Sequence, residues 1–145
     1  MVDLGVLIKK VDDGVKTKEE ALEECRKTMV AAMRTGKLFV INVGKYSPDF
    51  INEYTADDEN FPTAKIFNRE EWKEHDLYMK TVRHEENMND MGNAGAFYQD
   101  NKFGVCILAK FDSLDNCKQF CEKVPHQEKF HKYFVRWFTY ILKNL

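Results

Sequence analysis

The sharpest grouping of potentially reactive side chains lies towards the C-terminus. Cys117, Cys121, His126 and His131 place two thiols and two imidazoles within fifteen residues, and zinc accepts both ligand types. Structural zinc sites usually have a tight turn between paired cysteines, whereas these two are four residues apart in a helical pattern. Pro125 also forces a bend before the histidines, so the imidazoles need not lie near the thiols. We therefore interpret them as buried thiols and surface histidines and predict no metal or cofactor. The same four residues remain the candidate ligands if a metal does bind.

Covalent and acid–base catalysis have weaker support. Cys117 falls in the first turn of a predicted helix, but the carboxylates of Asp112 and Asp115 would raise the pKa of its thiol and disfavour the reactive thiolate. The acidic clusters 57–59 and 85–86 could bracket a substrate, yet their polar neighbours predict solvated surface groups. The sequence therefore singles out no catalytic residue.

No phosphate-binding loop can be written for this chain. Its glycines form neither a dinucleotide fingerprint nor a Walker A loop. Open α/β sheets nevertheless bind ligands at the carboxyl ends of their strands. The candidate ligand-binding residues at that edge are Asn42, Gly44, Lys45, Lys110 and Asp112.

A helix followed by an apolar strand is the clearest structural signal. Thr17 and Glu20 form a capping-box pattern, and Gly36 suits a left-handed C-terminal cap, so a helix is predicted between them. The run 38–43 is almost continuously apolar, which is typical of a strand covered on both faces. A second such run, 103–111, follows later in the chain. The residues predicted at the centre of the core are Val40, Ile41, Val105, Ile107 and Leu108.

The remaining elements follow from the same spacing rules. They are an N-terminal arm or short strand (1–16), a short helix (48–53), an edge strand (63–67), a helix (68–86), a hairpin arm at 97–99 that pairs with 103–111, and a helix from Asp112 or Ser113 to Pro125. A helix is predicted over 126–145, where an apolar stripe recurs at helical spacing. That stripe is wider than one small domain can cover, which indicates a protein-binding surface. The predicted partner-binding residues are Phe130, Tyr133, Trp137 and Tyr140.

Length and composition restrict the class of protein. The chain has 145 residues, 43% of them hydrophobic, and a formal net charge of −2. It is expected to form one domain, 1–145, whose partners are other proteins rather than nucleic acid or a membrane. No stretch approaches the ~20 apolar residues that span a bilayer, and the four cysteines lie in apolar patterns. We expect a cytoplasmic protein with reduced thiols. Association with the cytoskeleton or an axoneme is compatible with that location. The sequence does not predict the oligomeric state.

Part of the chain resembles a known family. The helix ending in 31–37, the strand 38–43 and the later strand 103–110 are similar to the middle of an AAA-type ATPase core, especially the degenerate modules of dynein heavy chains. In that family the first strand ends in acidic Walker B residues, whereas Asn42 and Gly44 stand at those positions here. The resemblance implies a P-loop-like fold that has lost nucleotide hydrolysis.

These observations predict a single α/β domain with a mixed central sheet of about four strands and helices packed on it. The predicted function is a non-enzymatic interaction or scaffold subunit of a larger intracellular assembly. The alternative is a small enzyme or nucleotide- or ligand-binding protein. A deep pocket at the carboxyl ends of the two buried strands would favour that alternative.

Overall fold

The computed structural model describes residues 1–89, 91–135 and 139–144, and it gives the backbone alone for 134, 135, 139–142 and 144. Its strands are β1 (Val2–Asp3), β2 (Leu38–Gly44), β3 (Gly104–Lys110), β4 (His131–Val135) and β5 (Thr139–Asn144). Its α-helices are α1 (Leu4–Asp12), α2 (Lys18–Thr35), α3 (Thr63–Ile66), α4 (Arg69–Trp72), α5 (His75–Tyr78) and α6 (Leu114–Cys121). Short 3₁₀ turns cover Met79–Thr81, Glu85–Asn87 and Gln127–Lys129.

The strands form one mixed sheet in the order β1-β2-β3-β5-β4. The first three strands are parallel, and β5 runs antiparallel to both β3 and β4. Helices and short turns connect the parallel strands, so the chain is a single α/β domain with a mixed sheet, as predicted. The sheet has five strands among the described residues rather than about four, because the C-terminal segment joins it.

The capped helix and the two central strands are confirmed. In α2, the Thr17 hydroxyl oxygen accepts a hydrogen bond from Glu20 N (3.2 Å), and Thr17 N donates to Glu20 Oε2 (2.9 Å). Gly36 ends the helix with φ 62°, a left-handed conformation that glycine adopts at little cost. The helix predicted after Asp112 is also present as α6, whose N-cap is Ser113.

One expectation about the core was wrong. Ile41, Val105 and Ile107 are buried as predicted, but Val40 and Leu108 are only half-buried. Burial in β2 alternates along the strand, which is the pattern of a sheet with one covered face rather than two. The apolar run 38–43 therefore has two different sides.

The helices cover the side of the sheet that carries the fully buried strand residues. Phe39, Ile41, Val43 and Ile107 are 0% exposed and belong to one hydrophobic cluster with residues of α1, α2, α4 and α6. Phe39 also contacts Phe61 edge to face, with ring centroids 6.1 Å apart. We call this side of the sheet the covered face.

The N-terminal segment is more structured than an arm. Its short strand is β1, and α1 follows at once, because Asp3 caps the helix by accepting a hydrogen bond from Val6 N (3.0 Å). Gly5 allows α1 to approach β2 closely, since a Cβ at that position would lie 2.9 Å from Val43 O. This approach fixes α1 at the carboxyl end of β2.

Several predictions for the middle of the chain were wrong. The predicted helix 48–53 is absent: residues 50–53 form a turn, in which Asp49 Oδ1 accepts hydrogen bonds from Ile51 N and Asn52 N. The predicted edge strand 63–67 is instead the helical turn α3, and 97–99 is not a strand. The long helix predicted over 68–86 is divided into α4, α5 and two 3₁₀ turns.

The predicted C-terminal helix over 126–145 was also wrong. Its described residues form the 3₁₀ turn Gln127–Lys129 and then β4 and β5, while 136–138 and 145 lie outside the description. After Pro125, His126 adopts a left-handed backbone conformation with φ 54°. The residues that follow form β4, which pairs with β5, and β5, which pairs with β3. Aromatic and branched side chains favour strands, and in short apolar runs they produce a spacing that periodicity alone cannot distinguish from a helix.

Candidate functional site

The carboxyl end of β2 carries three of the predicted ligand-binding residues. Asn42 Oδ1 accepts a hydrogen bond from Gly44 N (3.1 Å), and Asn42 Nδ2 donates to Asp3 Oδ2 (3.1 Å). Gly44 has φ 57° and lies where the register between β2 and β3 shifts. Lys45 follows with an exposed side chain. The amide of Asn42 is therefore engaged in holding the strand end to β1 and to the turn.

The same edge contains the N-terminus of α1. Helix N-termini attract anions because their first backbone N–H groups lack helical partners. Here the Asp3 carboxylate caps the helix and also accepts from Asn42. A negative side chain of the protein thus occupies the position where a nucleotide-binding fold would place a phosphate.

The described cavities lie away from that edge. Three of them have volumes of about 270, 230 and 210 Å³, and a fourth is much smaller. None of these four cavities is lined by the five predicted ligand-binding residues. Lys110, the last residue of β3, and Asp112, which follows the strand, are both exposed. The deep pocket that would favour a ligand-binding function is thus absent from these cavities.

The paired cysteines of the C-terminal grouping do come together. Cys117 and Cys121 are 3% and 6% exposed and both line the cavity of about 270 Å³. Burial raises the pKa of the Cys117 thiol to about 11, and the neighbouring Cys121 thiol adds to the rise. All four cysteines are buried and free, and their burial agrees with the apolar sequence patterns in which they lie.

The two histidines do not complete a four-ligand metal site. His126 lies in the left-handed turn before Gln127–Lys129, with its Nδ1 3.8 Å from Glu128 Oε1, and His131 begins β4. Within residues 1–89, 91–135 and 139–144, no group of three or more His, Cys, Asp or Glu side chains could hold a metal ion. The tetrahedral arrangement that structural zinc needs is therefore not built by these four residues.

A buried arginine is the feature that sequence reasoning missed. Arg26 on α2 is 1% exposed, and its five N–H groups all have acceptors: both carboxylate oxygens of Glu23, both of Glu86, and Thr81 O, at 2.7–3.1 Å. Charge-assisted, bidentate bonds of this kind are strong and directional. Arg26 therefore ties α2 to the segment 81–86.

The acidic clusters are not simply solvated. Glu86 is 22% exposed and paired with Arg26, and it bonds through its backbone oxygen to Arg34. Asp58 in the other cluster pairs with Lys65 and Lys80, and the hydrogen bond from Lys65 lowers the pKa of its carboxyl group. Both clusters therefore have structural partners, which only the folded chain brings near.

The predicted partner-binding residues are separated by the fold. Phe130 is 5% exposed and contacts Phe67 edge to face at 5.7 Å, so it belongs to the core. Tyr133 in β4 is 53% exposed. Trp137 lies outside the described residues. Tyr140 lies in β5, where only its backbone is described, and it pairs with Ala109 of β3. Of the four residues, Tyr133 alone is described as an exposed aromatic side chain.

The side of the sheet opposite the covered face carries apolar residues beside one amide. Leu38, Val40 and Asn42 of β2 and Leu108 of β3 are half-buried, whereas Cys106 is buried at 6% exposure. In β2 the half-buried residues alternate with the buried ones, and the register places Cys106 beside Val40 and Leu108 beside Asn42, so all of them lie on the other side of the sheet. We call this side the open face.

Basic and aromatic side chains extend the open face across the antiparallel strands. The register pairs Cys106 with Lys143, and Lys143 with His131, and directly opposed residues lie on the same side of a sheet. The ammonium of Lys143 is near enough to Cys106 to oppose the rise in thiol pKa that burial causes. Tyr133 and Lys110 occupy the same side by alternation. The face is thus apolar at β2 and β3 and cationic at its margin.

Among the described residues, no helix is long and apolar enough to cross a membrane. Searches with protein-family models, curated proteins and solved structures gave no significant match to this chain.

Proposed function

We propose that this chain is a non-enzymatic protein-interaction module, a scaffold subunit of a larger intracellular assembly, and that the open face is its contact surface. The observation that carries the proposal is the half-burial of Val40 and Leu108 on a sheet face that borders the exposed Tyr133. Partly accessible apolar and aromatic side chains on one surface are typical of interfaces. The surface replaces the aromatic helix as the proposed location of partner binding.

The charge of the open face defines the partner further. Lys110 and Lys143 lie on it, while the one acidic residue at its β1 edge, Asp3, is already hydrogen-bonded to Asn42 and Val6. A complementary partner would present apolar side chains flanked by Asp or Glu. The expected partner is therefore an acidic amphipathic segment of another protein.

A nucleotide- or ligand-binding function has less support. Asn42 and Gly44 bond to each other, and the Asp3 carboxylate occupies the N-terminus of α1. The resemblance to degenerate AAA-type cores is a proposal about the origin of this fold. A chain of that origin would not hydrolyse ATP, because Asn42 stands in place of the Walker B acid. We propose that ATP with magnesium is neither bound at micromolar levels nor hydrolysed, which calorimetric titration and a phosphate-release assay would test.

The interaction proposal is tested by comparing two leucines. Leu108→Asp places a charge on the open face, while Leu114→Asp changes a 49% exposed leucine on α6, outside that face. Each purified variant and the unchanged chain serve as bait in native extract, and captured proteins are quantified by mass spectrometry. The proposal predicts that Leu108→Asp weakens capture of the specific partner by at least ~2 kcal/mol, as expected for an interface centre, while Leu114→Asp leaves it unchanged.

Two controls keep that test interpretable. Circular dichroism must give the same folded signal for both variants, and capture should weaken when ionic strength is raised about tenfold, because screening reduces attraction to the lysines. Equal capture by the Leu108→Asp variant and the unchanged chain would refute the proposed surface. Loss of the same proteins with Leu114→Asp would place the contact on the helical side.

A further inference from the structure

We propose that Cys117 and Cys121 form a two-sulfur binding site for one soft monovalent metal ion, Cu(I). The two residues are four apart on α6, and residues at this spacing are neighbours on one side of a helix, with Cβ atoms about 5–6 Å apart. Both are buried and line the same cavity of about 270 Å³. Two sulfur atoms thus already face a space that opens to the surface.

The number of available ligands selects the kind of metal. Soft thiolate ligands favour Cu(I) among the biological metals, and two sulfurs in a nearly linear arrangement satisfy this ion. Zinc instead requires four ligands, and the part of the chain that the structure describes holds no group of three or more His, Cys, Asp or Glu able to bind a metal. His126 and His131 stand apart from the pair, so a third ligand is not at hand. The pair therefore suits a two-coordinate ion better than a tetrahedral one.

The binding step balances without any additional reagent. Two S–H bonds break, two Cu–S bonds form, and the two protons leave to water or buffer. Copper enters and remains as Cu(I), so no oxidant or reductant takes part. The resulting dithiolate complex carries one net negative charge.

The rim of the cavity contains groups that would offset that charge. Lys118 and Lys132 line it together with Glu122 and Gln127. The ammonium of Lys132 is close enough to act electrostatically on the Cys117 sulfur. With two lysines against one glutamate, the rim favours a negatively charged metal complex.

The other two cysteines provide matched controls. Cys25 is 0% exposed within α2, and Cys106 lies in β3 on the opposite side of the sheet, paired in register with Lys143. Cys106 has the same exposure as Cys121, 6%. Replacing Cys106 removes one equally buried thiol without touching the proposed site.

The test is an anaerobic competition between the reduced full-length chain and a chromogenic Cu(I) chelator, bicinchoninate. The expected result is withdrawal of one Cu(I) per chain by the unchanged protein and by the Cys106→Ser variant. Cys117→Ser and Cys121→Ser should each lower the affinity by more than ~100-fold, since even groups behind the metal ligands are commonly worth ~10–100-fold. Lys132→Gln should weaken binding by a smaller factor, because it removes charge but no ligand.

Three outcomes would overturn the proposal. They are equal Cu(I) affinity in the unchanged chain and the Cys117→Ser/Cys121→Ser double variant, an equal loss in Cys106→Ser, or Zn(II) displacing Cu(I) stoichiometrically from the folded protein. Circular dichroism of each apo variant confirms that folding is retained. X-ray absorption of the loaded chain gives an independent readout, two sulfur neighbours around copper, and a different coordination shell would also contradict the assignment.

Discussion

The two faces of the sheet use neighbouring residues of the same strands in different ways. On the covered face, Ile41 and Ile107 are fully buried, whereas their neighbours Val40 and Leu108 on the open face are half-buried. Successive parallel strands that are adjacent in a sheet have crossovers of one hand, which brings the connecting helices to a single side. Among the described residues, the covered face thus contains the fully buried strand residues, while the open face contains the half-buried ones that we propose as a contact surface. The predictions below test that division.

The largest loss of stability is expected on the covered side at Arg26. Arg26→Ala would leave the carboxylates of Glu23 and Glu86 and the carbonyl of Thr81 without their shared donor. Breaking a buried ion pair by removing one partner typically costs ~3–5 kcal/mol. Urea denaturation should show a loss of that size. A loss below ~1 kcal/mol would mean that the segment 81–86 is not held by this arginine.

The next effect compares adjacent residues of β3. Ile107→Ala removes a fully buried side chain and should lower the free energy of unfolding by ~2–5 kcal/mol. Leu108→Ala removes a half-buried side chain on the open face and should cost ~1 kcal/mol or less, because little area leaves the core. The same urea series measures both variants. Equal costs for the two would indicate that both faces are packed and would remove the basis for an open face.

A close approach at the edge of β2 gives an intermediate prediction. Gly5→Ala would add a Cβ 2.9 Å from Val43 O, a backbone atom that cannot move aside easily. Overpacking of this kind costs ~1–3 kcal/mol. Gly14→Ala is not a matched control, because Gly14 has φ 71°, so Ala31→Ser on the exposed side of α2 serves instead and should change stability little. Thermal melting of both variants checks the difference.

The smallest effect is the acid dependence of the Arg26 cluster. The hydrogen bond from Arg26 lowers the pKa of Glu23 in the folded chain. Its contribution to stability is therefore fully present above the unfolded pKa of ~4.3, and it is lost as pH falls through the lower folded value. Urea midpoints should be flat above about pH 5.5 and fall below pH ~4.3. The fall should be weaker in an Arg26→Met variant, and an identical fall would assign it to other carboxylates.

The parts of the fold that could be predicted are those with local signals. The capping box at Thr17, the glycine cap at Gly36 and the Ser113 cap are short-range patterns, and each marks a helix end correctly. The C-terminal strands lacked such signals. The pairing of β5 with β3 is long-range, and β4 joins the sheet only through β5. The aromatic spacing at 126–145 predicted a helix, but these tertiary contacts determine the structure.

The candidate sites depended even more on long-range contacts. Arg26 and Glu86 are 60 residues apart, so no local spacing could pair them. The alternation of buried and half-buried residues in β2 was hidden by a sequence that is apolar on both sides. Cys117 and Cys121 were found because their i, i+4 spacing is itself local. Sequence reasoning located this pair but could not assign Tyr133 to the open face, because that required the register of β4.

Photo-crosslinking provides the most direct measurement of the open face as a contact surface. A photoreactive phenylalanine analogue would replace Leu108 on the open face or, as the matched control, Leu114 on α6, and each protein would be irradiated in native extract. The account predicts a discrete crosslinked product from position 108 that is absent from position 114 and is competed by excess unlabelled chain. Discrete products from position 114 with none from position 108 would contradict it.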